Sequence, residues 1–263
     1  MSRRTNRILK TLLRWAFSAF VLFIVGVLLW RVFASGDPKG ITTLRVNDRT
    51  AEAYRLYGDD WTLYTQGQST MTNATYEGEA GVDHKFTNKS NYGYFGVTQS
   101  VILKEAKQVQ LVFRYNNSTI KHLKEDYALA EMPSRDDHLY DVSLVLAVDL
   151  TPEDDSDNLT SVLDPERVAL VRVAPDAEMT ERATKNLYNY YHYVFDLPEE
   201  LAMEHLLAVY VDVYYVGDIT YLEEDADIYT DEPYGTLCIY DHVTTVRPYE
   251  LTAADRAALT GKQ

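Results

Sequence analysis

A chain of 263 residues, 46% hydrophobic and 25% charged, can bury a sizeable core and is neither low-complexity nor broadly disordered. Its 40 acids exceed its 25 lysines and arginines, and the imbalance is uneven: residues 1–34 carry +6 and the remaining 229 carry −21. Such a field excludes nucleic acid and anionic lipid headgroups as partners of the larger part and favours cations and cationic surfaces, while the lone cysteine, Cys238, excludes an intrachain disulfide.

The first predicted element is apolar. Trp15 to Trp30 is an uncharged run of 16 residues, which covers about 24 Å as a helix, short of a hydrocarbon core about 30 Å thick. Arginines at both ends can bury their stems and raise their guanidinium groups to the headgroups, so the usable span runs from Leu12 to Ala34, roughly 34 Å. Trp15 and Trp30 sit where interfacial aromatics are expected, and Arg3, Arg4, Arg7, Lys10 and Arg14 place the N-terminus in the cytoplasm by the positive-inside bias. The expected organisation is a basic cytoplasmic tail over 1–11, a transmembrane helix over 12–34, a linker over 35–40 and an extracytoplasmic domain over 41–263. The protein is then a single-pass protein of the cell membrane with its C-terminal domain outside, sitting close to the bilayer. A cleaved signal peptide is the rival reading, with Val32-Phe33-Ala34 before Ser35 as the cut; Arg31 and the bulky Trp30 and Phe33 crowd that site.

Beyond the linker, strand signals dominate. LYDVSLVLAVDL (139–150) alternates Tyr140, Val142, Leu144, Leu146 and Val148 with a second face, the period of a half-buried strand. Similar runs lie at 94–103, 109–115, 166–173, 187–195, 206–215 and 236–240, with weaker ones at 42–46 and 61–66. Short helices are expected over 48–57, after a cap; over 118–128; over 198–206, which opens on Pro198 and acids; and in the C-terminal tail. Many antiparallel strands with few helices predict a mostly β fold, a two-layer antiparallel β-sandwich of jelly-roll or Ig-like type, in one domain. No unit of fixed period repeats.

Candidate sites are sparse. In LYNYYHYVFD (187–196), Tyr188, Tyr190, His192 and Val194 share one face and Leu187, Asn189, Tyr191, Tyr193 and Phe195 the other. With the second face in the core, the first displays Tyr188, Tyr190 and His192 as a flat ligand-binding platform suited to a polysaccharide or a protein, because such rings bury area at low entropy cost. The densest acidic loop, 151–166, offers Asp154, Asp155, Asp157 and Asn158 as ligands for a calcium ion; Leu159 and Thr160 break the EF-hand pattern there. A second acidic loop holds Glu223, Glu224, Asp225 and Asp227, a solvated stretch or a contact for a cation or a basic partner. Cys238, within TLCIY, reads as a small buried hydrophobe. The pairs Asp83-His84, Asp137-His138 and Asp241-His242 are not expected to act as dyads, since neighbours on a strand face opposite ways. No sequence motif for a catalytic nucleophile, zinc or phosphate is present.

In overall plan alone the chain resembles single-pass envelope proteins of bacteria. The function expected from these features is a membrane-anchored interaction module for an envelope protein or polysaccharide. An enzyme acting on envelope glycans and a structural subunit of a membrane complex are the alternatives.

Overall fold

The computed structural model describes residues 3–34, 36–58, 63–65, 70–72, 74–77, 83–86, 95–126, 128–151, 164, 166–216, 233–243 and 247–261. The chain divides into two units, Met1–Asp37 and Pro38–Gln263. The division falls within the stretch read as a linker.

The first unit is one helix, α1 (Arg3–Ala34). Its segment Lys10–Trp30 is long and apolar enough to cross a membrane, and none of it is buried. A signal sequence near an N-terminus satisfies the same criterion of length and composition.

The second unit is mostly β. After α2 (Asp48–Tyr57) come β1 (Leu63–Thr65), β2 (Thr70–Thr72), β3 (Ala74–Glu77), β4 (Asp83–Phe86), β5 (Phe95–Leu103) and β6 (Gln108–Asn116). Helix α3 (Thr119–Asp126) leads to β7 (Tyr140–Asp149), β8 (Val168–Val173), β9 (Glu181–Lys185) and β10 (Tyr188–Asp196). The chain ends with β11 (Leu206–Tyr215), β12 (Gly235–Asp241), β13 (Arg247–Pro248) and α4 (Ala253–Leu259). Two antiparallel sheets form, one in the order β13-β1-β5-β6-β10-β9 and the other in the order β2-β12-β11-β7-β8; β3 and β4 pair separately.

Four consecutive hairpins build these sheets, alternating between them: β5-β6, β7-β8, β9-β10 and β11-β12. The central strands β6 and β10 pair antiparallel in one sheet, as do β7 and β11 in the other. Among these eight strands the order is therefore unchanged when the first two hairpins are exchanged with the last two, while β13 and β1 extend the first sheet beside β5 and β2 extends the second beside β12. Loops of unequal length hide this plan from any search for a fixed period.

One core cluster draws on both sheets. Val109, Leu111, Phe113 and Tyr115 of β6 and Tyr191, Tyr193 and Phe195 of β10 join Tyr140, Val142, Leu144 and Leu146 of β7 and Val209, Val211 and Val213 of β11. Every second residue of each strand enters it, the period that the sequence displays. Aromatic rings tie the sheets together: Phe95 meets Tyr140 edge-on at 4.9 Å, and Tyr115 meets Tyr140 at 4.8 Å. Edge-on packing sets the positive rim of one ring against the negative face of another. No disulfide supplements it.

Helix α2 begins at a capping box in which Asn47 accepts from the Thr50 amide at 3.1 Å and Thr50 Oγ1 accepts from the Asn47 amide at 2.8 Å. It stops at Gly58, whose φ of +58° is a conformation that other residues resist. Two expectations fail. Residues 42–46 form no sheet strand; after a turn that ends at Thr43, Leu44 and its neighbours cross a sheet face without regular structure, held by side chains. The helix expected over 198–206 shrinks to a single 3-10 turn at Met203–His205. This stretch must carry the chain from β10 in one sheet to β11 in the other, and it turns Leu197 and Leu201 into the core on the way.

Phe113 is fully buried, so Phe113→Ala should lower the urea unfolding free energy by about 3–5 kcal/mol. Leu187→Ala, at an exposed turn, should change it by less than about 0.5 kcal/mol in the same titration.

Candidate functional site

The alternation in β6 and β10 that sends one set of side chains into the core turns Gln108, Gln110 and Val112 of β6, and Tyr188, Tyr190 and His192 of β10, to the opposite face. Pairing sets them side by side, His192 across from Val112 and Asp196 across from Gln108. A β-bulge between Val97 and Gln99 adds β5 to this face. Before it Val97 pairs with core-facing Phe113, and after it Gln99 pairs with outward Val112. One extra residue thus reverses the facing of the rest of the strand. Gln99, Val101 and Leu103 thereby point outward.

This face is covered by the chain itself. Residues 41–47 cross it as a strap, followed by α2 and, from the far end of the sequence, by α4. Ile41 is 0% exposed against Val112 and Tyr190, with Ala183 and Tyr188 packed around them. Leu44 joins Ala53, Val101, Leu103, Ala106 and Leu259 in a second small core.

The strap is held by side chains that bind its main chain. His192 Nδ1 lies 2.6 Å from the Ile41 carbonyl, Gln99 Nε2 donates to the Thr42 carbonyl at 2.9 Å, and the Leu44 amide donates to Asp255 Oδ1 at 2.8 Å. Gln110 takes both main-chain groups of Arg45, accepting from its N–H at 2.9 Å and donating to its C=O at 2.8 Å. The amide thus imitates a neighbouring strand. Beyond it, Gln110 donates to Gln108 at 2.6 Å, Gln108 donates to Asp196 at 2.7 Å, and Asn47 donates to both Asp196 oxygens at 3.2 Å.

Charges line the margin. Arg45 pairs with Glu181 of β9, and Arg49 pairs with Glu199 at 2.7 Å while donating to the Leu197 carbonyl at 2.9 Å. Asp255, wholly buried, closes the capping box of α4 by accepting from the Thr252 amide at 2.8 Å, and it also accepts from the Tyr249 hydroxyl at 3.1 Å. One carboxylate therefore joins the strap to the C-terminal helix.

His192 is the most constrained group here. The Ile41 carbonyl can only accept, so Nδ1 carries the proton, while Nε2 faces Gln110 Oε1 at 3.2 Å. The Arg45 N–H fixes that amide, so both ring nitrogens look at oxygens. A second ring proton would complete the pattern but bury a charge, and burial prevails: it pushes the His192 pKa down to about 4, opposed by the Ile41 hydrogen bond and assisted by Arg45.

The platform expected from sequence is therefore corrected. Tyr190 is 2% exposed and His192 1%; they form the floor beneath Ile41 instead of an open surface. Tyr188 is half-buried with the Arg114 guanidinium 4.8 Å above its ring. The reason is tertiary, since alternation shows that a strand has a second face but not that a distant segment covers it. Asp154, Asp155, Asp157 and Asn158 lie outside the described residues, as do Glu223, Glu224, Asp225 and Asp227. Among the described residues no group of three or more His, Cys, Asp or Glu is placed to hold a metal ion.

Cys238 is half-buried and donates to the Tyr240 carbonyl at 3.3 Å, and burial pushes its thiol up to about 11, away from nucleophilic use at neutral pH. One histidine pair departs from expectation. His242 Nδ1 comes within 3.4 Å of Asp241 Oδ1, because His242 lies beyond the end of β12 where alternation no longer applies. That nitrogen also meets the Leu207 carbonyl at 3.2 Å. His138 packs edge-on against Tyr191 at 5.2 Å.

The strap-binding residues Gln99, Gln110, Asp196 and Asp255, and Gln108 that links two of them, were not singled out by the sequence reading. A signal existed for two of them. Gln108 and Gln110 alternate with Val109 and Leu111, while Val112 on their own face is apolar, the mark of a strand buried on both sides with amides that need partners.

Ile41→Ala should lower stability by about 2–5 kcal/mol in urea titration, although Ile41 belongs to neither sheet. The His192 pKa in the folded chain lies below its unfolded value of about 6.5, so its contribution is complete above that value and is lost as the pH falls from about 6.5 to about 4. The loss should reach about 3 kcal/mol, and unfolding midpoints between pH 7 and pH 4 should fall more steeply in the wild type than in His192→Gln.

No protein-family model, curated protein or solved structure matches this chain.

Proposed function

We propose that the chain is a membrane-anchored, extracytoplasmic interaction module with its N-terminus in the cytoplasm and its acidic domain outside, engaging an envelope protein or polysaccharide. The observation that carries this reading is the contrast between the two units. Lys10–Trp30, 21 residues, has the length and apolar composition of a membrane span and is 0% buried, whereas the core of the second unit is assembled wholly from its own strands and helices. An apolar surface with no role in a core calls for another apolar medium, and lipid supplies it.

The domain is an Ig-like two-layer sandwich in this reading, and the strand order supports it. In the immunoglobulin plan one sheet runs A-B-E-D and the other G-F-C, with C′ as a further strand beside C. Numbering β5 to β12 in chain order as A, B, C, C′, D, E, F and G turns β5-β6-β10-β9 into A-B-E-D and β12-β11-β7-β8 into G-F-C-C′. Domains of this plan present loops at both ends, where a partner can be engaged without disturbing the core. The polar groups best suited to chemistry point the same way: His192, Asp196 and Asp255 hold segments of the chain together. The net charge of −21 over residues 35–263 favours a cationic partner surface whose binding weakens with salt.

Membranes from cells making a C-terminally tagged chain should retain the full-length protein through alkaline carbonate washing, and protease added to spheroplasts should destroy the tag. Intact protein in the soluble lysate, or a mature chain beginning at Ser35, would refute the anchor. Cross-linked partners captured at low salt should be enriched in basic proteins and lost at high salt; capture indifferent to salt counts against the cationic partner.

A further inference from the structure

The strap is an arm that the rest of the domain grips as it would grip a separate peptide. The gripping residues lie far from it in sequence, 65 positions away for Gln110, 151 for His192 and 211 for Asp255. Their bonds go to main-chain groups of residues 41, 42, 44 and 45, and two side chains, Ile41 and Leu44, serve as apolar anchors. No sheet ladder among the described residues includes the strap, so both sheets can form without it. The arm continues into α2, which carries its own capping box and ends at Gly58 with φ +58°, a residue able to take up a different turn at little cost.

We propose that this arm exchanges between two copies of the chain: residues 41–57 of one copy dock on the β5-β6-β10 face of another, and the reciprocal arm returns. The occupant whose fit is on the page is this segment, with Ile41 and Leu44 each 2% exposed or less, and a second copy carries the same segment. Exchange makes no new kind of contact. It replaces each cis contact by an identical trans one, and its balance is set by concentration and by the hinge. Confinement to one membrane, which rests on the anchored reading above, raises the local concentration of arms.

The pair Arg45–Glu181 permits a direct test, because Arg45 sits on the arm, Glu181 sits on β9 of the gripped domain, and both are partly exposed. In Arg45→Glu the arm meets a like charge on its own domain, and in Glu181→Arg likewise. When differently tagged full-length copies of the two variants are made together, the exchanged pair restores opposite charges at both interfaces. One interface then sets the two substituted side chains against each other, and the other sets native Arg45 against native Glu181. Co-purification of the two tags should exceed several-fold that of either variant with itself. Co-purification no greater than that of either variant with itself overturns the proposal.

A second readout does not depend on the charge-reversed chains folding. In a Cys238→Ser background, one copy carries Arg45→Cys and the other Glu181→Cys. Mild oxidation should yield a disulfide-linked pair in the mixture and none from either copy alone; no linked product, with both copies folded by circular dichroism, overturns exchange. Fractionation of the same cells reports the anchor separately, so a soluble chain that still exchanges refutes only the anchor.

Discussion

A pair of central strands, β6 and β10, is buried on both faces, and this constraint governs the second unit. On the inner side the requirement is met by aromatic and aliphatic side chains from both sheets. On the outer side the strands carry Gln108, Gln110, His192 and Asp196, groups that cost several kcal/mol if removed from water without partners. The main chain of residues 41–45 satisfies Gln110 and His192, the side chain of Asn47 satisfies Asp196, and Gln108 is held between Gln110 and Asp196. The strap in turn lacks a strand neighbour, so the amides and carbonyls that its own turn leaves unpaired require partners. Each need answers the other.

This reciprocity explains the position of several otherwise unrelated features. The bulge in β5 reverses the facing of Gln99, Val101 and Leu103, and without it the strap would lose a carbonyl partner and part of its apolar floor. The capping box of α4 places Asp255 where it serves both as a helix cap and as acceptor for the Leu44 amide. The N-terminal and C-terminal ends of the second unit are thereby joined on one sheet face, with Leu44 and Leu259 in one apolar cluster. A tie between chain ends is the entropic equivalent of closing a long loop, which makes it effective when made and sensitive to any single lost contact.

His192 shows how far such a network can force a titratable group. Its two nitrogens meet two oxygens, a pattern that suits the doubly protonated ring, yet its burial holds the ring neutral. Arg45 adds to the cost of a proton there and Asp255 reduces it. Structural polar networks shift pKa values as strongly as catalytic sites do, and here the group so shifted touches a backbone carbonyl and an amide of its own chain.

Sequence alone determined the apolar N-terminal segment, the separation of charge between the two parts of the chain, the mostly β class and the positions of most long strands. These follow from local composition and from a period of two, which any window of the chain displays. It also paired the right residues on each face of β10, although Leu187, grouped with the core face, lies exposed at the turn before the strand. Whether that second face met solvent could not be read there, because Ile41 lies 151 residues from His192 and neither position marks the other. The strand order, the bulge that turns Gln99 outward, the demotion of residues 198–206 from helix to crossover and the docking of residues 41–47 were decided by tertiary structure. Each depends on what a distant segment buries, and burial is a property of the assembled sheets, absent from any stretch of the chain taken by itself.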